Sequence, residues 1–401
     1  MLAGKTIVLA ITGGIAAYKA AEITRLLVKE GAIVRVLMTK NAQEFITPLT
    51  LQTLSGNPVA TETFSLTQES EIGHIRLADT ADLILIAPAS ADVIGKVAHG
   101  IADDLLTTVL LATTAPVLVA PAMNVHMYAH PAVQENMRLL TARGYRFVEP
   151  GEGFLACGYE GKGRLAEPED IVEDARAALT KKDLTQEKII VTAGPNAEPI
   201  DPVRYITNRS TGKMGFALAR VAWRRGAEVT LVSGPTSFSA PRGVRFCSVR
   251  TAREMQSAVL EHYPQATMIV SAAAVADYRP AKVASQKIKK ADGPLLIELT
   301  RNPDILGELS QHKGNRLHVG FALETEHVLE NAVRKLHNKN LDMIIANDVM
   351  EEGAAFAHDT NIVTLIDRSE RMEKLPIMTK DEVAHVVYDR LLQLKQMKNE
   401  K

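Results

Sequence analysis

The chain has 401 residues, 46% of them hydrophobic and 23% charged, which suffices for two or three globular domains and excludes disordered and fibrous classes. Its 46 Lys and Arg against 47 Asp and Glu leave a formal charge of −1, a balance with no particular attraction for nucleic acid or a membrane surface. Two cysteines, Cys157 and Cys247, exclude a disulfide framework and a four-cysteine zinc site, and point to a reducing cytoplasm.

The opening MLAGKTIVLAITGG lacks the basic start and small-residue cleavage site of a signal peptide, and its apolar run is one strand long. Strands are expected at 5–12, 33–38, 83–87, 116–120 and 145–148, separated by helical stretches. Runs as apolar as DLILIAPAS are those of a parallel sheet buried on both faces, which predicts a doubly wound α/β domain. The longest uncharged stretch, Leu105 to Val125, has the length of a membrane span. Its four threonines, Pro116 and Pro121 instead fit a buried helix followed by a strand. A charged, helix-forming stretch covers 167–188, and the linker is expected at 181–187, between domains of 1–180 and 188–401.

The second half repeats the plan. KIIVTAG at 188–194 echoes KTIVLAITGG at 5–14, and GAEVTLVSG at 226–234 echoes GAIVRVLMT at 31–39. Further strands are expected near 267–272, 317–321, 341–346 and 362–366. A hairpin of SQKIKK, an Asp292-Gly293 turn and PLLIELT is expected to interrupt them, and an amphipathic helix from about 380 ends the chain. The architecture predicted is two doubly wound Rossmann-like α/β domains.

In such sheets ligands collect at the carboxyl ends of the strands. Thr12, Gly13 and Gly14 form a loop there, and a helix starting at Ile15 would aim backbone N–H groups at an anion; a tight turn that needs glycine is the alternative. Three more segments fall at the same edge: APASADVIGKVAHGIADDLLT at 87–107, PAMNVHMY at 121–128, and GFLACGYEGKGRL at 153–165, a glycine-rich flap carrying Cys157. His126 and His130, four apart, have no third ligand nearby, so a structural role is preferred to a metal site.

PAMN at 121–124, ACGYEGKGR at 156–164 and His74 within GHIRLAD resemble the flavin-dependent cysteine decarboxylases, in particular the phosphopantothenoylcysteine decarboxylase half of the bifunctional coenzyme A biosynthesis family. The resemblance implies a flavodoxin-like flavoprotein domain holding FMN, with the phosphate around Gly13, Gly14 and Ile15 and further contacts near Thr39 and Ser90. It also implies that the substrate thiol is oxidised to a thioaldehyde, from which carbon dioxide departs. His74 would be the base, Asn124 would orient the carboxylate, and Cys157 would donate the closing proton. Tyr128 stands where the family pattern has tryptophan, which bears only on packing beside the site.

NRSTGKMG at 208–215 fails as a P-loop, because Thr207 and Met214 stand where glycine and Ser or Thr are needed. What remains is a polar loop, Arg204 to Lys213, entering a helix and suited to an anion. Lys287 and Lys289 are expected on one face of the hairpin with Lys290 opposite; a solvated basic edge strand is the alternative. Asn302 is expected as an N-cap with Pro303 at the first helical position, and Lys335 and Lys339 share a helix face. With Asp277 as a metal or base contact, these groups suit a nucleoside triphosphate with Mg2+.

TAGPNAEPIDPVRYITNRSTGKMG, SAAAVADYRP, KIKK, NPDIL, GFALET and LDMIIAND resemble the phosphopantothenate-cysteine ligase half of the same family, a C-terminal nucleotide-binding ligase domain. The resemblance implies that CTP activates the carboxylate of 4'-phosphopantothenate as an acyl-cytidylate, which the amine of L-cysteine then attacks. Lys287 would assist activation and Asn208 would act on the intermediate. Ala273, Asp277, Asn302, Pro303, Asp304, Ile305, Phe321, Lys335 and Lys339 would contact the nucleotide. A homo-oligomer is implied too, with trimeric decarboxylase and dimeric ligase contacts. The rival readings are a related flavoprotein acting on another substrate and a non-catalytic regulatory flavoprotein; the fused ligase half opposes the first, and His74, Asn124 and Cys157 oppose the second.

Overall fold

A computed structural model describes residues 2–63, 73–154, 160–290, 293–324, 326–348 and 359–399. The chain forms two compact units, Met1–Thr180 and Lys181–Lys401.

In the first unit, β1 (Thr6–Ile11), α1 (Ala20–Lys29), β2 (Ile33–Met38), α2 (Pro48–Ser55), α3 (Gly73–Thr80), β3 (Leu83–Ala89) and α4 (Ala91–Ala98) follow one another. Then come α5 (Leu105–Ala112), β4 (Val117–Pro121), α6 (Val125–Ala129), α7 (Pro131–Ala142) and β5 (Arg146–Phe147). A hairpin of β6 (Gly151–Phe154) and β7 (Glu160–Arg164) precedes α8 (Pro168–Leu179). The five-stranded sheet is parallel, in the order β2-β1-β3-β4-β5. The period of two along β1 explains why the run is apolar throughout: Ile7, Leu9 and Ile11 pack beneath α1 and α8, while Val8 and Ala10 pack beneath α4 and α5. Leu105 to Val125 is α5, opened by an Asp104–Thr107 capping box, followed by β4. No helix among the described residues is long and apolar enough to cross a membrane.

The second unit contains β8 (Lys188–Ala193), β9 (Ala197–Pro199), β10 (Tyr205–Thr207), α9 (Lys213–Arg224), β11 (Glu228–Ser233), β12 (Arg245–Ser248) and α10 (Ala252–His262). It continues with β13 (Met268–Ser271), β14 (Tyr278–Pro280), β15 (Leu299–Arg301), α11 (Ile305–Ser310), β16 (Leu317–Glu324), α12 (Val328–Asn338) and β17 (Met343–Asp348). The last elements are β18 (Thr360–Asn361), β19 (Val363–Asp367), β20 (Met372–Lys374), β21 (Met378–Thr379) and α13 (Lys380–Asn399). The main sheet runs β12-β11-β8-β13-β16-β17-β19-β20, parallel up to β17 and antiparallel beyond it. Residues 181–187 pack on this unit: Leu184 is fully buried in its core, and Asp183 accepts from Arg225 Nε at 2.8 Å.

The expected lysine hairpin is not formed. Tyr278–Pro280 pairs with Leu299–Arg301 instead, extended by Ala281 N–H donating to Glu298 O at 2.9 Å, and residues 285–290 belong to no strand. The apolar residues of PLLIELT meet no core face, since Leu295, Leu296 and Leu299 are exposed, and Ile288 is tied to the turn at Asp201. Asp292 lies outside the described residues.

Candidate active sites

In the first unit the chain turns back at β1 and β3, so the strand order opens a crevice at their carboxyl ends, where a ligand can enter between diverging loops. Thr12 spans it: its hydroxyl donates to Pro88 O at 2.8 Å and accepts from Ser90 N–H at 2.9 Å. Gly13 is needed for space, because a Cβ there would lie 2.5 Å from that of Asn41. Ile15 opens a 3-10 turn, Ile15–Lys19, and the α-helix begins only at Ala20. Ser90 caps α4, accepting from Val93 N–H at 3.4 Å. Thr39 closes β2, and its buried hydroxyl oxygen has no hydrogen-bond partner among the described residues. The same holds for Nδ1 of His74, in the first turn of α3.

Asn124 caps α6, its Oδ1 accepting from His126 N–H at 2.9 Å. The neighbouring Met123 N–H donates to Gly163 O at 2.9 Å, which lays β7 along PAMN. That contact requires glycine, since a Cβ at Gly163 would stand 2.5 Å from Met123 O at a φ of +140°. Cys157 lies outside the described residues. His130 Nδ1 accepts from Ala132 N–H at 3.2 Å and caps α7, so it is occupied structurally. No cluster of three or more His, Cys, Asp or Glu suited to a metal occurs among the described residues.

The second unit places its own switch between β8 and β13, with β11 and β12 on one side and β16 and β17 on the other. A cavity of about 480 Å³ opens there. Ala273 and Asp277 line it from the loop after β13, Phe321 from β16, Asn302, Pro303, Asp304 and Ile305 from the entry to α11, and Lys335 and Lys339 from α12. Nine residues expected at a nucleotide are thus brought together from four segments. Asp304, not Asn302, is the N-cap: its Oδ1 accepts from Gly307 N–H at 3.1 Å and also pairs with Lys339 Nζ at 3.0 Å. Asn302 clamps two walls instead, donating through Nδ2 to Ala276 O and through its backbone N–H to Asp277 O, both at 2.8 Å.

A second cavity of about 530 Å³ shares Ala273, Val275, Asp277, Phe321 and Lys335 with the first and runs along residues 208–215 to Asn361 and Lys380. Asn208 stands in its wall and donates to Ala274 O at 3.0 Å. Lys287 is exposed and lines neither cavity; the adjacent Ile288 donates its N–H to Asp201 Oδ2 at 3.1 Å and accepts from Arg204 at 2.9 Å. The Arg204 guanidinium, with backbone N–H groups, holds the Asp201 carboxyl far below the usual carboxylate range despite burial. Asn361 and Lys380 were not expected at a site: Asn361 ends the two-residue β18 and Lys380 opens the last helix, α13, both far along the chain from residues 208–215, and nothing local in the sequence marks them.

Strand order, glycine cradles and paired switch-point clefts define a two-unit α/β enzyme, a flavodoxin-type unit followed by a nucleotide-binding unit of Rossmann type. Residues 1–180 match the family model described as flavoprotein, and residues 184–394 match that of the DNA/pantothenate metabolism flavoprotein C-terminal domain. The chain is 50% identical over 405 residues, 100% of each chain, to the coenzyme A biosynthesis bifunctional protein CoaBC of Bacillus subtilis (strain 168). It is 47% identical over 396 residues to the Escherichia coli (strain K12) protein of the same name, covering 98% of this chain and 97% of that one. Among solved structures, the C-terminal domain of a coenzyme A biosynthesis bifunctional protein CoaBC has 42% identity and a TM-score of 0.47, over 55% of this chain and 100% of that one. The FMN-dependent cysteine decarboxylase SpaF has 32% identity and a TM-score of 0.38, over 44% of this chain and 99% of that one. The chain belongs to the family of bifunctional coenzyme A biosynthesis proteins.

Proposed function

We propose that the second unit joins L-cysteine to 4'-phosphopantothenate using CTP, and that the first unit decarboxylates the product to 4'-phosphopantetheine with FMN. The observation that carries this reading is the full-length identity to bifunctional relatives, together with a separate switch-point cleft in each unit.

The residues of the first cleft fit a flavin phosphate. The Gly13 cradle lets backbone approach closely, and Thr39 offers a buried hydroxyl without a partner among the described residues. Bound FMN supplies the two-electron chemistry at the substrate thiol. Around it, His74 takes the thiol proton, the Asn124 amide orients the carboxylate without neutralising it, and Cys157 returns a proton to the product carbon.

In the second unit, Lys335 and Lys339 face the triphosphate and favour pyrophosphate as a leaving group. Mg2+ arrives with the nucleotide and needs only one or two carboxylates of the protein, for which Asp277 is the candidate. The acid substrate occupies the second cavity, with its carboxyl at the wall shared by both cavities, beside Asn208. Lys287 reaches the reacting carboxylate by movement of its exposed segment or from a second protomer, in a homo-oligomer with trimeric first units and dimeric second units. The setting is the cytoplasm.

The test is a coupled assay on the flavin-loaded protein with phosphopantothenate, cysteine, Mg2+ and either CTP or ATP, following pyrophosphate and carbon dioxide. Release of both with CTP is expected. Pyrophosphate without carbon dioxide would refute the decarboxylase reading, and no pyrophosphate with either nucleotide would refute the ligase reading.

A further inference from the structure

The segment that carries Lys287 is docked by a buried carboxylate that lines neither cavity. Residues 285–290 lie outside any strand and Lys287 is exposed, yet its neighbour Ile288 is held at both backbone polar atoms. Its N–H donates to Asp201 Oδ2 at 3.1 Å, and its carbonyl accepts from Arg204 Nη2 at 2.9 Å. Four residues earlier, Ala284 N–H donates to Ile200 O at 3.0 Å, so the lysine segment lies along the turn at 200–204. Asp201 is 2% exposed, which makes its carboxylate costly to leave unmet. Its two oxygens have separate partners. Oδ1 accepts from Val203 N–H at 2.8 Å and Arg204 N–H at 2.9 Å, closing the turn between β9 and β10, whereas Oδ2 accepts from Ile288 N–H and from Arg204 Nε at 3.0 Å. An exposed segment outside a sheet otherwise samples many conformations, and a lysine must be held near its target before its charge can lower a barrier.

We propose that Asp201 is a positioning residue for carboxylate activation: its Oδ2, with the Arg204 guanidinium it orients, fixes the backbone of Ile288 and so sets where Lys287 delivers its charge. The pinned neighbour limits Lys287 to the reach of its own side chain and to motions that carry residues 200–204 with it, whichever protomer it serves. Activation of the acid then depends on a carboxylate that touches neither substrate nor nucleotide. The later step at Asn208 does not, because the turn leading into β10 is closed by Oδ1. The inference rests on the ligase reading above, in which Lys287 assists activation, and adds to it the residue that places the lysine.

The experiment separates the two steps in the full chain. Pyrophosphate formed in a single turnover with phosphopantothenate, CTP and Mg2+ but no cysteine reports activation, and loss of the accumulated acyl-nucleotide on adding cysteine reports ligation. Asp201→Asn keeps the Oδ1 acceptor and replaces Oδ2 by a donor. It is expected to slow activation at least tenfold, with KM for the nucleotide within threefold and the ligation step within twofold of wild type. In a Lys287→Gln background the same substitution is expected to cost less than twofold, because the lysine it places is gone; a merely structural residue would multiply the loss. Trypsin under native conditions is expected to cut after Lys287, Lys289 and Lys290 at least fivefold faster in Asp201→Asn than in wild type. Unchanged Trp223 emission establishes folding. If Asp201→Asn misfolds, Ile288→Pro removes the N–H from the other side of the contact and carries the same expectation for activation. Unchanged activation, equal slowing of both steps, a full further loss in the Lys287→Gln background, or unchanged cleavage would each overturn the proposal. Wild-type protein that releases no pyrophosphate would instead sink the ligase reading, and the trypsin comparison would still decide whether Asp201 docks the segment.

Discussion

At Gly13 one hydrogen atom separates a working loop from a collision. A methyl group there would stand 2.5 Å from the Asn41 Cβ and 3.2 Å from its backbone, so Gly13→Ala forces apart the loops after β1 and β2. Purified Gly13→Ala protein is expected to hold FMN about tenfold more weakly, about 1.4 kcal/mol, read by fluorescence titration of the free flavin; wild-type affinity would remove the cradle argument. His318 shows a different single-residue effect. It is fully buried, its Nε2 lies 2.7 Å from the Tyr263 hydroxyl, and burial, reinforced by Lys313, lowers its pKa to about 4. The unfolded chain binds that proton near pH 6.5, so the contribution is complete above pH 6.5 and is lost as pH falls toward 4. Between pH 7 and 5 the second unit is expected to lose about 2 kcal/mol through this residue. Urea titrations followed by Trp223, the one tryptophan of the chain, would check it: His318→Gln should flatten the slope, and an unchanged slope would refute the assignment.

At the scale of elements, the last helix is fastened to the rest of its unit through charge. Asp381, at the start of α13, meets the fully buried Arg224 at 2.6 Å and Arg220 at 3.0 Å on α9. Burial pushes its pKa up, but the two guanidinium groups prevail and hold it below the usual value. Asp381→Ala leaves Arg224 buried without this partner and is expected to destabilise the second unit by about 3 kcal/mol. The urea midpoint of Trp223 fluorescence would measure the loss, and Arg224→Met in the same chain should recover part of it. Apolar runs long enough to cross the sheet were legible in the sequence as strands, because both of their faces are covered. PLLIELT misled for the complementary reason: it is apolar enough for a strand but has no core to face. The N-cap at α11 was displaced from Asn302 to Asp304 because the Asn302 side chain is engaged with Ala276 across the cleft, a partner 26 residues away.

For the whole molecule, two compact units with two separate clefts predict separable chemistry. Cys157→Ser is expected to abolish carbon dioxide release while pyrophosphate release by the second unit stays within twofold; joint loss of both would refute independent sites. The sequence by itself determined the doubled α/β plan, the glycine loops, the family, and nine of the residues around the larger unit's first cavity, because strand hydrophobicity, turn glycines and motif order are local properties of the chain. Only the tertiary structure decided that Lys287 stands apart from both cavities, that Asn302 is a clamp, that Thr39 and His74 present buried atoms with no partner among the described residues, and that Asn361 and Lys380 complete the second cavity. The physical reason is the same in each case. Exposure, an unmet hydrogen bond, or a shared wall depends on which distant segments the sheet order brings together, and no window along the chain contains both partners.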